Sequence, residues 1–340
     1  MKIRLIGHSK EAVMQVGPEG PWFEFKKTLL SLLNTIAEKN FGEQIDALVA
    51  NSHSQLGIKE CDLNNVPKNR RILILWEPNI VVPRTYSSKT LNNYGKIFTP
   101  SVDWAENLGA EKFLWPQLDL ESNEPDFINW ELRQNKASIV LANKFSASRG
   151  ELYSLRRRIA YKTQDQELLD LYGSKWNLGL IYDFRHYFGN LTRTPLNKIS
   201  ISSSKYLMRK FRNFKGLSDN KFKTMGSYRI SVVIENSADY ISEKLFDSVS
   251  SGAITIYIGP NIAKYGLDQN SVIQCEPNAN EIIEKIKEVQ SLPLKKQLDI
   301  AKLQYSSLLI SSSSWEGHAV LKDLAVKVNN YLLSTKENAV

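Results

Sequence analysis

The chain is 340 residues long, and 42% of its residues are hydrophobic and 10% aromatic, a composition that excludes an intrinsically disordered protein. The length exceeds what one ordinary core holds and suits two domains of about 150 residues each. The formal net charge of +8 leaves three kinds of partner open, namely nucleic acid, an anionic membrane surface and a phosphorylated small molecule.

Short apolar runs alternate with helical patterns in the first half. Residues 2–6, 45–49 and 71–75 have the composition of strands, and 25–38 has the apolar spacing of an amphipathic helix. Proline, serine and asparagine punctuate 79–112, which predicts loops, and the polar segment 118–135 predicts a linker.

The alternation restarts in the second half. It predicts strands at 138–141, 168–172, 229–234, 254–258 and 272–275, and helices at 149–163, 242–250, 280–290 and 319–333. Alternating strands and helices imply parallel sheets with right-handed crossovers. We therefore predict an α/β fold of two Rossmann-like domains facing a cleft, with 1–135 as the first domain, 136–330 as the second and 331–340 as a tail.

Several binding motifs are missing from the sequence. Neither Gly-x-Gly-x-x-Gly nor Gly-x4-Gly-Lys-Ser/Thr occurs, which excludes the dinucleotide fingerprint and the Walker loop. No two aspartates lie two positions apart, and the four histidines show no metal-ligand spacing, so we expect no essential metal. With only Cys61 and Cys275 and no run of about 18 apolar residues, we expect a cytoplasmic protein.

The segment 228–260 carries the most specific pattern in the chain. A predicted buried strand delivers Glu235 and Asn236 to its carboxyl end, and Glu243 and Lys244 follow in the first turn of the next helix. A lysine there opposes the helix dipole unless negative charge lies nearby, and a bound diphosphate would supply that charge. An exposed Glu–Lys pair on a helix face is the alternative.

This segment resembles the donor-binding signature of the family-ten glycosyltransferases, the α-1,3/4-fucosyltransferases. Their pattern runs Tyr-Arg-Phe-x5-Glu-Asn-Ser, then Asp-Tyr-x-Thr-Glu-Lys, then a glycine and Pro-Val-Tyr-x-Gly. Residues 214–221, 168–173 and 259–267 are similar to further family segments, so the resemblance covers the second half of the chain. It implies the GT-B type of architecture.

The resemblance also implies roles for individual residues. Asn143 and Arg149 keep the spacing of the family's Ser-Asn loop and its phosphate-binding arginine, and Glu77 follows a predicted strand as the family's proposed general base does. The resemblance further implies donor-binding roles for Asn236, Tyr240, Glu243 and Lys244, and supporting roles for Glu235 and Lys221.

The reaction that these roles imply is an inverting transfer of fucose from GDP-fucose to a saccharide hydroxyl without a metal. Arg149 and Lys244 would stabilise the departing diphosphate. The basic charge fits peripheral contact with the inner face of an anionic membrane, where a lipid-linked acceptor would lie. A transferase of the same fold with another GDP-sugar, and a non-catalytic protein that binds glycans or nucleic acid, remain alternatives, although we expect no nucleic acid partner.

Two basic regions have no assigned role. The insertion 176–208 is rich in aromatic and basic residues and does not map onto the family pattern, and 205–215 is compatible with a solvated helix face, an acceptor or membrane contact, or nucleic acid. The other dense basic run is Arg156 to Arg158.

Overall fold

The structure is a computed structural model that describes residues 2–6, 24–28, 31, 45–50, 53–117, 124–146, 148–176 and 211–337. They form two compact units. The first takes the described residues of 1–119, 239–241 and 312–337, and the second takes those of 120–238 and 242–311. The chain thus enters the first unit briefly at 239–241.

Each unit is built on a parallel sheet. The five-stranded sheet of the first unit has the order β1-β2-β3-β4-β5: β1 (Lys2–Ile6), β2 (Ile45–Ala50), β3 (Arg71–Ile74), β4 (Lys96–Thr99) and β5 (Glu111–Lys112). The six-stranded sheet of the second has the order β11-β10-β9-β6-β7-β8: β6 (Gln134–Val140), β7 (Leu169–Tyr172), β8 (Phe214–Gly216), β9 (Tyr228–Ile234), β10 (Ile254–Ile258) and β11 (Ile273–Gln274). The predicted α/β class with parallel sheets is confirmed.

Helices connect these strands. In chain order they are α1 (Ser54–Leu63), α2 (Ser88–Leu91), α3 (Val102–Leu108), α4 (Tyr153–Thr163), α5 (Lys221–Gly226), α6 (Glu243–Ser250), α7 (Ala279–Ser291), α8 (Leu294–Ser311) and α9 (Gly317–Glu337). Residues 24–28 are helical as predicted, and most of the rest of the predicted helix 25–38 lies outside the described residues. None of the helices in the described part of the chain has the length and apolar character needed to cross a membrane.

The first sheet is covered on both faces, as the buried run of β3 requires. Ile72 and Ile74 pack with α9, whereas Leu73 packs on the opposite face with Cys61 of α1. The predicted end of the second domain at residue 330 placed most of α9 in that domain. In the structure α9 packs on the first sheet, because its buried residues Leu321, Leu324, Ala325, Val328 and Leu332 face that core.

Two regions differ from the predicted pattern. Residues 79–112, predicted as loops, contain β4, α3 and β5 as well as short helical turns. The helix α3 is only seven residues long, and it is held by an N-cap at Ser101 and a left-handed Gly109 at φ 59° rather than by an apolar stripe. The helix α8 also lacked a recognisable pattern and was not predicted.

Candidate functional site

The strand order of the second sheet reverses between β6 and β9. From β6 the chain builds outward through β7 and β8, then returns to the other side of β6 to form β9, β10 and β11. In open parallel sheets, ligands bind outside the carboxyl ends of the strands at such a switch point. The segments after β6 and β9 therefore form the candidate site, and they carry Asn143, Arg149, Glu235 and Asn236.

A buried arginine joins these two strand ends. Arg156 of α4 is 2% exposed, and its Nη1 donates to the carbonyl oxygen of Ala142 after β6 at 3.4 Å. Its Nη2 donates to the last carbonyl of β9, that of Ile234, and to Oδ1 of Asn236 at 3.1 Å. Because the guanidinium group is planar and rigid, it fixes the spacing of the two segments. Arg156 was not among the site residues predicted from the sequence.

Asn143 ties the segment after β6 to the one after β7. It is 1% exposed, its backbone N–H donates to the carbonyl of Ser174 at 2.9 Å, and its Nδ2 donates to the carbonyl of Lys175 at 3.2 Å. Its Oδ1 accepts from Nη1 of Arg157 at 3.3 Å. These contacts suit the predicted supporting role, since the amide holds neighbouring backbone.

Arg149 lies before α4 and does not open it, so the predicted helix start at 149 is wrong. Gly150 has φ +85°, and residues 151 and 152 pair with the segment after β9 through Ser237 and the carbonyl of Asn236. The N–H of Ser154 at the start of α4 donates to the Glu151 carboxylate at 2.9 Å. Arg149 therefore does not lie at the N-terminus of α4, which begins at Tyr153. It is exposed, and it forms no hydrogen bond or ion pair with the residues that the structure describes.

A buried carboxylate organises the start of α6. Glu235 is 0% exposed, and it accepts from the N–H of Ser242 at 3.0 Å and from its Oγ at 2.7 Å. Nζ of Lys244 lies 3.4 Å from Oε2 of Glu235 and donates to Oγ of Ser242 at 2.8 Å. The negative charge that a first-turn lysine requires thus comes from the protein, and a diphosphate is not needed to supply it.

Glu243 completes the charge balance around Lys244. Its Oε1 lies 3.5 Å from Nζ of Lys244. Burial acts to raise the pKa of Glu243, but the Lys244 ammonium, its own backbone N–H and Lys221 outweigh burial, so this pKa lies below its usual value. Lys221 is itself paired with Asp247 of α6, and burial raises the pKa of Asp247 despite that pairing. Lys221 therefore supports α6.

Tyr240 lies in the first unit, unlike the other donor-binding residues predicted from the same segment. It is 4% exposed, and its ring packs edge-on against Trp115 with centroids 5.9 Å apart. Trp115 in turn contacts Trp76 at 5.8 Å. The structure thus gives Tyr240 a place in an aromatic cluster of the first unit.

Glu77 follows β3 in the first unit, as predicted, and is partly buried. Its carbonyl oxygen accepts from the hydroxyl of Tyr86 at 2.8 Å, and the ring of Tyr86 lies 4.7 Å from that of Trp104. Trp104 donates through Nε1 to the Asp239 carboxylate at 3.1 Å. Burial, with the charges of Asp239 and Glu77, raises the pKa of Tyr86 well above its usual value.

Two of these contact residues, Arg156 and Asp239, were not predicted from the sequence, for different reasons. Arg156 belongs to a run of three arginines, and no composition signal separates the buried one from Arg157 and Arg158. Asp239 lies in a loop, and its hydrogen-bond partner, Trp104, is 135 positions away.

The predicted insertion 176–208 lies, except for Trp176, outside the described residues, as does most of 205–215. In the described part of the chain, no group of three His, Cys, Asp or Glu side chains is arranged to hold a metal ion.

Comparison with solved structures identifies the architecture. HepE of Anabaena, solved in complex with UDP and glucose, is 9% identical with a TM-score of 0.57, and the match covers 97% of this chain and 100% of that one. The fold is of the GT-B glycosyltransferase type. An α1,3-fucosyltransferase solved with GDP is 14% identical with a TM-score of 0.52, covering 98% of this chain and 90% of that one.

Another match is α,α-trehalose 6-phosphate synthase from Burkholderia multivorans, 9% identical with a TM-score of 0.52, covering 98% of this chain and 79% of that one. No protein-family model matches the chain, and no curated protein matches it in sequence. At these identities the likeness concerns the fold alone.

Proposed function

We propose that the chain is an inverting glycosyltransferase that moves fucose from GDP-fucose to a hydroxyl of a saccharide acceptor, as an α-1,3/4-fucosyltransferase does. The observation that carries the proposal is the exposed Arg149 on the segment after β6, beside the switch point of the second sheet. Around Lys244 the carboxylates of Glu235 and Glu243 balance the charge, whereas Arg149 has no carboxylate partner among the described residues. A diphosphate supplies the anion that this cation lacks.

The proposed chemistry is a single displacement. The acceptor hydroxyl attacks the anomeric carbon, the bond from that carbon to the diphosphate oxygen breaks, and the hydroxyl proton passes to a carboxylate base. Glu77 is the proposed base. Negative charge grows on the departing GDP, and Arg149 and Lys244 are proposed to stabilise it. No metal takes part in the proposed step.

A second donor class also has support. HepE solved with UDP-glucose has a TM-score of 0.56, and that match covers 97% of this chain and 99% of the other. The fucosyltransferase structures have a TM-score of 0.52 and 90% of their length covered. A UDP-hexose donor is therefore the second candidate for the same site.

A transfer assay separates the two donors. The purified protein is incubated with GDP-fucose, GDP-mannose or UDP-glucose and a panel of labelled oligosaccharides, with and without EDTA, and the products are analysed by mass spectrometry. The proposal predicts that an acceptor gains one deoxyhexose from GDP-fucose in both conditions. Gain of a hexose from UDP-glucose alone favours the second candidate. Absence of both transfer and nucleoside diphosphate release with every donor contradicts the transferase proposal.

We also propose that the enzyme makes peripheral contact with an anionic membrane, where a lipid-linked glycan acceptor would lie, on the basis of the net charge of +8. Basic residues gain about 1 kcal/mol each near an anionic leaflet. Flotation with vesicles that contain anionic lipid tests this proposal, and recovery no greater than with neutral vesicles contradicts it.

A further inference from the structure

The Glu235 carboxylate cannot contact a ligand directly in this structure, because it is 0% exposed. It accepts two bonds from Ser242, faces the Lys244 ammonium at 3.4 Å, and has the Tyr257 hydroxyl 3.5 Å from Oε1. A buried carboxylate is retained only where such partners offset the loss of hydration.

The partners belong to the first turn of α6. Ser242 is the N-cap of that helix, and both of its donors are directed at Glu235. Its Oγ in turn accepts from Nζ of Lys244 at 2.8 Å. The ammonium group is therefore held at the positive end of a helix dipole, where it is repelled unless a carboxylate offsets that repulsion.

We propose that Glu235 is a positioning residue that fixes the Lys244 ammonium at the start of α6 and thereby sets the affinity of the site for a nucleoside diphosphate. The inference rests on the proposed donor site. Glu235 acts indirectly, through Ser242 and Lys244, and Lys244 contacts the ligand. The side chain of Lys244 is 17% exposed, whereas that of Glu235 is fully buried.

A purely structural role for Glu235 is the competing explanation, and a double-mutant cycle distinguishes the two. The variants are Glu235→Gln, Lys244→Met and the double variant, with GDP and UDP binding measured by isothermal titration. If Glu235 acts through Lys244, each single change weakens the binding of the preferred nucleotide by about 10-fold, and the double variant is no weaker than Lys244→Met.

Asp170→Asn is the matched control. Asp170 is a carboxylate of the same sheet that is 5% exposed, accepts from the hydroxyl of Tyr228 at 2.9 Å and faces Lys215 at 3.6 Å. It lies on β7, outside the proposed site. The inference predicts a lower melting temperature for this variant with nucleotide affinity changed less than about twofold.

The outcomes separate the two claims. If the wild-type protein binds neither GDP nor UDP, the proposed function and this inference fall together. If it binds and Glu235→Gln leaves the affinity unchanged, or its effect persists in full when Lys244 is Met, only the inference is overturned. If Glu235→Gln does not fold, Ser242→Ala replaces it in the cycle. That change removes the shared Oγ but keeps the carboxylate, and it must also lose its effect on affinity in the Lys244→Met background.

Discussion

Replacing Arg156 with Met tests whether one buried guanidinium group joins the two halves of the switch point. The substitution keeps a long side chain but removes the donors to Ile234, Asn236 and Ala142. Hydrogen bonds from charged donors contribute about 1.5–3 kcal/mol each. We count the two bonds from Nη2 as full and the 3.4 Å bond from Nη1 as weak. The expected loss of stability is then about 3–6 kcal/mol.

Hydrogen exchange with mass spectrometry is the appropriate assay, because it reports the opening free energy of β6 and β9 separately from the first unit. Arg157→Met is the matched control. Its neighbouring guanidinium is only partly buried and donates to Oδ1 of Asn143 at 3.3 Å and to the carbonyl of Lys144. We expect this control to cost about 1 kcal/mol. Equal effects of the two changes, or a loss below about 1 kcal/mol for Arg156→Met, would refute the argument.

Three further predictions concern single groups. Burial raises the pKa of the Cys275 thiol to about 11, so the native protein at pH 8 should leave it unmodified by a thiol reagent that labels it in urea; rapid native labelling of Cys275 contradicts this. Gly173→Ala should destabilise the second unit by more than about 2 kcal/mol, because φ is +124° and a Cβ would lie 2.5 Å from a backbone oxygen, whereas Gly150→Ala, at φ +85° with nothing within 4 Å, should cost about 1 kcal/mol in urea unfolding. Similar losses of stability for the two glycine variants would contradict the explanation that the close backbone oxygen makes Gly173→Ala the more costly change. Tyr86→Phe should cost about 1 kcal/mol at pH 8 by removing the bond to Glu77. Because burial raises the pKa of Tyr86 in the folded state, the stabilisation from its hydroxyl is fully present below about pH 10, the pKa in the unfolded chain, and is lost as the pH rises from there through the raised pKa. The stability deficit of Tyr86→Phe should therefore narrow as the pH rises above about 10, and a constant deficit is the contrary result.

The buried strands were predictable because their sequences are unambiguous. Ile254–Ile258 is β-branched apart from Tyr257 and lies between Gly252 and Gly259, and it forms the predicted strand residue for residue. The pattern failed where elements are short or depend on distant partners. The strand Lys96–Thr99 is half buried over only four residues, and its pairing with Arg71–Ile74 is a tertiary property.

The candidate site was predictable in part for the same reason. Strand ends could be located, so Glu77, Asn143, Glu235 and Asn236 were placed after the correct strands. The side-chain partners of these residues could not be predicted from the sequence. Consecutive helical residues point about 100° apart. Of the run Arg156 to Arg158, therefore, the first is buried, the second partly buried and the third exposed, and only the fold decides which is which.

The most direct test of the central claim is isothermal titration of GDP and UDP into the wild-type protein, Arg149→Ala and Arg212→Ala. Arg212 is a suitable control because its side chain is 77% exposed and pairs with Asp165, between the end of α4 and the start of β7. If the switch point binds a nucleoside diphosphate, the wild type binds at least one of them, Arg149→Ala weakens that binding about 10-fold and Arg212→Ala changes it less than twofold. No binding by the wild type, or equal losses for the two arginine variants, would contradict the account.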